Sequence, residues 1–331
     1  MNEPLVVVTD TVFPSLEPVQ RVLAAVNARL EMAPQPLPEV IATAARRADA
    51  LLVTYAKVPG DTIRRLECCK IISRTGIGVD NVDVEAATEK GIVVTRVPDY
   101  CIDEVSDHSL ALLLALARKI PLANRLVSAG TWSVDSVGTI HRLRGQTLGL
   151  VGFGQIPRAL APKAQALGVQ VVAYDPYVAA EAMAREGVRQ VTFDELLEEA
   201  DLISIHAPLT PETHHLFGRE AFEKMRPGAL LVNTARGPLV DTAALVEALD
   251  AGKLAGAALD VLEVEPPPPN SKLLGRSDLL LTPHTAFYSV ESLLDLQVKA
   301  AEEVLRVLQG QRPRNPVNPQ VLEPQAPGQA V

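Results

Sequence analysis

Cysteine is scarce in this 331-residue chain: Cys68, Cys69 and Cys101 are the three present. An odd number with two adjacent gives no disulfide framework, and the spacing matches no zinc site. Small buried residues in a reducing compartment are the expected state. Excess positive charge is also missing. Forty Asp and Glu outweigh 31 Lys and Arg, for a net charge of −9. That balance argues against nucleic acid or a membrane surface as the main partner, and leaves only a local basic pocket for a small anion. No apolar run is long: Ser109 to Ala117 is far too short to span a bilayer. The first residues, MNEPLVVVTD, lack a basic leader region, so a cytoplasmic protein is expected. No repeat of fixed period occurs. What remains is 47 % hydrophobic and 21 % charged, the balance of a soluble globular protein long enough for two domains.

Strand-like and helix-like segments alternate throughout. Leu5–Thr9, Ala50–Thr54, Ile71–Ser73 and Ile92–Thr95 read as short buried strands, and Val19–Leu30 has helical spacing. A long helix is expected over Ile102–Ile120, with Asp103 and Glu104 in its first turn, Arg118 and Lys119 in its last, and Pro121 as its stop. A second series follows, with strands at Thr147–Val151, Val169–Tyr174, Leu202–Ile205, Ala229–Asn233, Gly256–Asp260 and Leu279–Leu281. Short buried strands separated by helices imply parallel sheets covered on both faces. Six in this pattern predict a doubly wound dinucleotide fold. An amphipathic helix is expected over Val290–Leu308, then a Pro- and Gln-rich tail, extended or disordered beyond Asn318.

The strand Thr147–Val151 runs into Gly152-Phe153-Gly154-Gln155-Ile156-Pro157, close to G-x-G-x-x-G. In that pattern the first glycine makes the tight turn and the second lets the backbone approach a pyrophosphate lying on the helix N-terminus. The third normally packs helix on strand, and here it is Pro157. Proline is tolerated in a first helical turn, where the N–H lacks an intrahelical acceptor. Pro162, inside the same helix, predicts a kink near Arg158. Asp175 follows at the next strand end, where an acid accepts ribose hydroxyls and repels a 2′-phosphate, favouring NAD over NADP.

With these motifs in place, the chain resembles the D-isomer-specific 2-hydroxyacid dehydrogenases over nearly its whole length. The likeness is carried, in order, by Arg74–Asp83 (RTGIGVDNVD), the glycine turn, His206–Thr213 (HAPLTPET), Met225–Gly237 (MRPGALLVNTARG), Ala258–Pro266 (ALDVLEVEP) and Thr282–His284 (TPH). Within the family it looks closest to the C-terminal binding protein branch, through Tyr174–Tyr177, Thr213–Leu216 and Phe287–Ser289. The resemblance implies an α/β protein with two Rossmann-like domains, a doubly wound NAD-binding domain inserted into a flavodoxin-like substrate domain. It places the substrate domain at 1–103 and 284–318, the cofactor domain at 104–283, and a flexible tail at 319–331. A homodimer built around the cofactor domain is implied. With the last helix close to the end of the sequence, the regulatory domain of some phosphoglycerate dehydrogenases is not expected.

The same resemblance assigns roles. His284 is the acid/base, since imidazole both gives and takes a proton near neutrality. Glu265 pairs with it and favours the imidazolium. Arg236 holds the substrate carboxylate through its planar fork. Backbone N–H groups of Gly76, Ile77 and Gly78 form an anion nest for that carboxylate. Phe287, where the C-terminal binding proteins carry tryptophan, walls the pocket, and Tyr100 and Cys101 edge the cleft. Cofactor contacts are expected from Ile77, Gly152, Gly154, Gln155, Ile156, Asp175, Pro176, Ala207, Pro208, Thr213, Thr234, Ala235, Arg236, Asp260 and His284, with Asp260 at the nicotinamide end. No His, Cys and Asp grouping has metal spacing.

Taken singly, the three catalytic residues have ordinary readings: a cap histidine after Pro283, a solvated acid before Pro266–Pro269, and an arginine neutralising a nearby acid. Together, in motif context, they predict an NAD-dependent oxidoreductase interconverting a 2-oxo acid and a D-2-hydroxy acid. An NAD(H)-sensing dimeric interaction protein is the alternative. A phosphite or formate oxidase is a third, against which stands Glu265, where the formate enzymes place Gln. His214 and His215 are expected at the surface or cofactor rim, without a catalytic role.

Overall fold

In the computed structural model of the chain, residues 3–323 are described. They form two compact units, one from the chain up to Tyr100 and from Ser289 onward, the other from Cys101–Tyr288. His284 and Phe287 therefore belong with the second unit, although the sequence boundary at 283/284 assigned them to the first.

The first unit is a five-stranded parallel sheet of β1 (Leu5–Val8), β2 (Arg29–Met32), β3 (Ala50–Val53), β4 (Ile71–Arg74) and β5 (Val93–Thr95), in the order β2-β1-β3-β4-β5. This is the flavodoxin-like order. The core joins Val7, Leu51, Val53, Ile72 and Val94 to Ile41 and Ile63 from the flanking helices. The helix expected over Val19–Leu30 is shorter. It spans Glu17–Leu23, continues as a 3-10 turn at Ala24–Val26, reverses at Asn27 (φ 50°) and yields β2. That edge strand has no buried residue, so no apolar pattern betrayed it.

The Val290–Leu308 helix lies where expected, with Ser289 and Ser292 as a reciprocal N-cap pair. Ser73 Oγ on β4 donates to its Ala300 carbonyl at 3.0 Å. Beyond it the chain is pinned. Buried Asn318 accepts the Val94 N–H at 2.7 Å and donates to the Ile92 carbonyl at 3.0 Å, closing the β5 edge. Pro319–Leu322 then form a 3-10 turn rather than an extended segment. Positions 324–331 of the expected tail lie outside the described residues.

The second unit holds seven parallel strands: β6 (Thr147–Val151), β7 (Gln170–Tyr174), β8 (Arg189–Gln190), β9 (Leu202–Ile205), β10 (Ala229–Asn233), β11 (Leu254–Leu259) and β12 (Leu279–Leu281). Their order is β12-β11-β10-β9-β6-β7-β8. Counted from β6 this is the Rossmann order 3-2-1-4-5-6 with a seventh strand added, and its switch point lies between β6 and β9. β9 is buried along its whole length, as a strand covered on both faces must be.

The long helix spans Ile102–Ala117 and ends at Lys119, which takes a left-handed conformation (φ 51°). Pro121 does not stop it. It sits in the first turn of a second helix, Ile120–Ser128, where a missing N–H costs nothing. Among the described residues, no helix is long and apolar enough to cross a membrane.

Candidate active site

The glycine turn sits at the switch point. Gly152 has φ +93°, and an added Cβ would meet the backbone of His206 and Ala207 at 3.0 Å. Both facts exclude any side chain at this position. Gly154 differs: its φ is −78°, and an added Cβ would meet nothing within 4 Å. Nothing in the protein requires glycine there. The open space beside it, at the N-terminus of the Gln155–Ala166 helix, is what an approaching pyrophosphate needs. Gln155 and Ile156 occupy the first turn with outward-facing N–H groups, and Pro157 is buried behind them. The helix runs through Pro162 as far as Ala166.

Asp175 ties this turn to the end of β7. One carboxylate oxygen accepts the Phe153 N–H at 2.8 Å and the other the Tyr177 N–H at 2.9 Å. Each oxygen keeps capacity for a ribose hydroxyl. Pro176 and Pro208 are exposed, while Ala207 is buried under the turn. Thr213 folds its hydroxyl onto the Pro208 carbonyl at 2.6 Å, closing the loop after β9. His206 pairs with Ser204 at 2.8 Å, and burial pushes its imidazole well below the ordinary value, so it is neutral at physiological pH.

Arg236, Glu265 and His284 come together at the carboxyl ends of β10, β11 and β12. His284 Nδ1 lies 2.8 Å from Glu265 Oε2, and Glu265 Oε1 accepts the Leu262 N–H at 2.8 Å. Burial opposes ionisation of Glu265. The His284 hydrogen bond, the Leu262 N–H and the nearby His284 and Arg236 charges outweigh it, so its pKa lies below the usual carboxylate value. An ionised Glu265 can only accept, so His284 Nδ1 carries a proton and donates. Phe287 stands edge-on to the imidazole, with ring centres 6.1 Å apart. Arg236 Nη1 donates to the Ala235 carbonyl at 2.8 Å, and buried Asn233 holds this loop from both sides, accepting from Ala235 and donating to Arg236. Gly237 follows: an added Cβ there would lie 1.9 Å from the Leu262 carbonyl carbon, so the Arg236 and Glu265 loops touch backbone to backbone.

Asp260 is 2 % exposed, and its carboxylate points into the protein rather than outward. It accepts the Thr282 hydroxyl at 2.6 Å, the Thr285 N–H at 2.8 Å and the Ala286 N–H at 2.9 Å, while its carbonyl takes the His284 N–H at 2.8 Å. This is a brace for the turn carrying His284, whose φ of 54° is uncommon for a residue with a side chain. Two contacts were not foreseen from sequence. His108 Nε2 lies 3.1 Å from the Thr282 hydroxyl, and His215 Nε2 lies 2.6 Å from Glu263. His215 is thus tied to the Glu265 loop rather than free on the rim. No local pattern marked either, because each partner is far away in the chain.

In the first unit, Gly76 is buried and its N–H already donates to the Arg74 carbonyl at 3.0 Å. Ile77 and Gly78 beside it are half-buried. Tyr100 and Cys101 are buried, at 8 % and 1 % exposure. Among the described residues no group of three His, Cys, Asp or Glu side chains is placed to hold a metal ion.

A parallel sheet in Rossmann order with a glycine turn, an acid at the end of the next strand and a His–Glu pair at its carboxyl edge defines a nicotinamide-dependent dehydrogenase architecture. The family model for the NAD binding domain of D-isomer specific 2-hydroxyacid dehydrogenases matches residues 110–286. The chain is 43 % identical over 277 residues to the D-3-phosphoglycerate dehydrogenase of Archaeoglobus fulgidus, covering 83 % of this chain and 52 % of that protein. It is 39 % identical over 289 residues to the glyoxylate reductase of Thermococcus litoralis, covering 85 % and 87 %. The crystal structure of D-lactate dehydrogenase from Aquifex aeolicus, complexed with NAD and lactic acid, superposes with a TM-score of 0.84 at 28 % identity, covering 92 % of this chain and 96 % of that one. The chain belongs to the D-isomer specific 2-hydroxyacid dehydrogenase family, and its cofactor is NAD. It spans about half the length of the phosphoglycerate dehydrogenases it matches.

Proposed function

We propose that this protein interconverts a 2-oxo acid and a D-2-hydroxy acid. The observation that carries the reading is the 2.8 Å pair of His284 and Glu265, beside Arg236. NADH, when bound, supplies the hydride that reaches C2. With Nδ1 held by Glu265, His284 exchanges a proton with the carbonyl oxygen through Nε2, donating in reduction and accepting in oxidation. Ionised Glu265 stabilises the imidazolium and fixes the ring. Arg236 holds the carboxylate through its planar fork. Phe287 excludes water on one side of the imidazole. On this reading the Cys101–Tyr288 unit carries the cofactor together with Arg236, Glu265 and His284, and the substrate is a small or medium 2-oxo acid.

The test is NADH oxidation against glyoxylate, hydroxypyruvate, phosphohydroxypyruvate, pyruvate and phenylpyruvate, with His284→Ala as control. Turnover of at least one acid is expected, with kcat lowered by about 10²- to 10⁴-fold in the variant and NADH affinity little changed. Absence of turnover with NADH bound, or equal losses of turnover and affinity in the variant, would refute the reading.

A homodimer belongs to the same proposal. The Ile120–Ser128 helix buries none of its side chains, and Trp132 and Val134 after it are 89 % and 88 % exposed. An apolar segment this open suits a protein interface. The finer likeness to the C-terminal binding proteins supports a second reading, an NAD(H)-sensing dimeric partner protein, to which exposed Trp132 and Tyr177 lend surface. Cofactor-dependent association that survives His284→Ala, in a chain without turnover, would favour it.

A further inference from the structure

We infer that His108 and Ser109, neighbours on the Ile102–Ala117 helix, are positioning residues that lock the loops bearing His284 and Arg236 in register. The inference rests on the roles proposed above for those two residues.

The direction of each hydrogen bond follows from counting hydrogens. The Thr282 hydroxyl donates to Asp260 Oδ1 at 2.6 Å. The single Thr282 hydroxyl hydrogen therefore points at Asp260. His108 Nε2, 3.1 Å from the same oxygen, must then be a donor. The result is one directed chain, His108 Nε2–H to Thr282 O–H to Asp260. Asp260 in turn holds Thr285 and Ala286 on the far side of His284. His108 also adds an N–H dipole 3.7 Å from the buried Asp260 carboxylate.

The same count applies one residue on. Ser109 Oγ donates to the Val105 carbonyl at 2.7 Å, an ordinary bond back to the preceding helical turn. Its hydrogen is thus committed, and Thr234 Oγ1, 2.9 Å away, must donate to it. Thr234 is buried and stands two residues before Arg236, as Thr282 stands two before His284. One rigid helix therefore grips both catalytic loops through consecutive residues, at the equivalent point of each. His284 needs such a grip, because its positive φ persists only where surrounding contacts over-determine it.

The experiment compares His108→Leu, His108→Gln, Thr282→Val, Thr282→Ser and the double variant His108→Leu/Thr282→Val in the full chain. Circular dichroism and NADH titration report folding and cofactor affinity. His108→Leu and Thr282→Val should each lower kcat by about 10- to 100-fold, the scale of a small misplacement of reacting groups, with NADH affinity within about twofold of wild type. His108→Gln, which keeps an N–H donor, and Thr282→Ser, which keeps the hydroxyl, should recover most of the loss. The double variant should be no slower than Thr282→Val, because the two residues act in series. Wild-type kcat in a folded His108→Leu, or losses that multiply in the double variant, would overturn the inference while leaving the His284 reading intact. An inactive wild type would overturn that reading and this inference with it.

Discussion

Two glycines two residues apart should answer the same substitution in opposite ways. In Gly154→Ala the new methyl sits on a backbone of φ −78° that alanine adopts freely and meets no protein atom within 4 Å. Losing the entropy of a flexible glycine favours the folded state by about 0.4–1 kcal/mol, and the poorer N-cap of alanine offsets about 0.5–1 kcal/mol. The apo protein should unfold within about 0.5 kcal/mol of wild type. Cofactor binding should suffer instead, because the methyl occupies the space the pyrophosphate needs. Overpacking of that kind costs about 1–3 kcal/mol, a weakening of about 5- to 150-fold in NADH dissociation constant. In Gly152→Ala the methyl meets the His206 and Ala207 backbone at 3.0 Å with φ at +93°, so the apo fold itself should lose about 1–3 kcal/mol. Urea unfolding of the apo protein and fluorescence titration with NADH separate the two effects. A Gly154→Ala protein that binds NADH like wild type, or one that is strongly destabilised without it, would refute the reasoning.

Other expectations concern charge and assembly. Asp175→Ala should weaken NADH binding and relax discrimination against NADPH. Unchanged selectivity would mean that the ribose is held elsewhere. Glu265 has a folded pKa below the ordinary 4.5, so its ionised form contributes stability that is present above the unfolded value and lost as pH falls through the lower folded one. The gap in Tm between wild type and Glu265→Gln should therefore shrink in acid below the ordinary carboxylate pKa. A gap constant from neutral pH into that range would contradict the assignment. Trp132→Glu with Val134→Glu should convert a dimer to monomer in light scattering, and a wild type that is already monomeric would remove the basis for the proposed interface.

The cofactor half was more legible in sequence than its supports. The strand Leu202–Ile205 is buried along its whole length and reads as an apolar run interrupted only by Ser204. The edge strands Arg29–Met32 and Arg189–Gln190 bury nothing, so hydrophobic patterning is silent there. The end of the long helix was misread because Pro121 suits either a stop or a first turn, and the left-handed Lys119 that decides between them leaves no trace in composition. His284, Glu265 and Arg236 were marked through motifs, and the structure sets His284 and Glu265 2.8 Å apart. Asp260 was expected at the nicotinamide end, and its bonds to Thr282, Thr285 and Ala286 could not be read from spacing. Such second contacts, like His108 to Thr282 across 174 positions, depend on tertiary geometry that local spacing does not encode.

The contact between Gly237 and Leu262 bears on how this pocket can be redesigned. With 1.9 Å between a virtual Cβ and the Leu262 carbonyl carbon, neither loop can accept an insertion or a bulkier neighbour without displacing the other. Loop grafting that treats the arginine and glutamate segments as separate modules would misalign both. A change of substrate range is better sought at Phe287, whose ring stands edge-on to the imidazole.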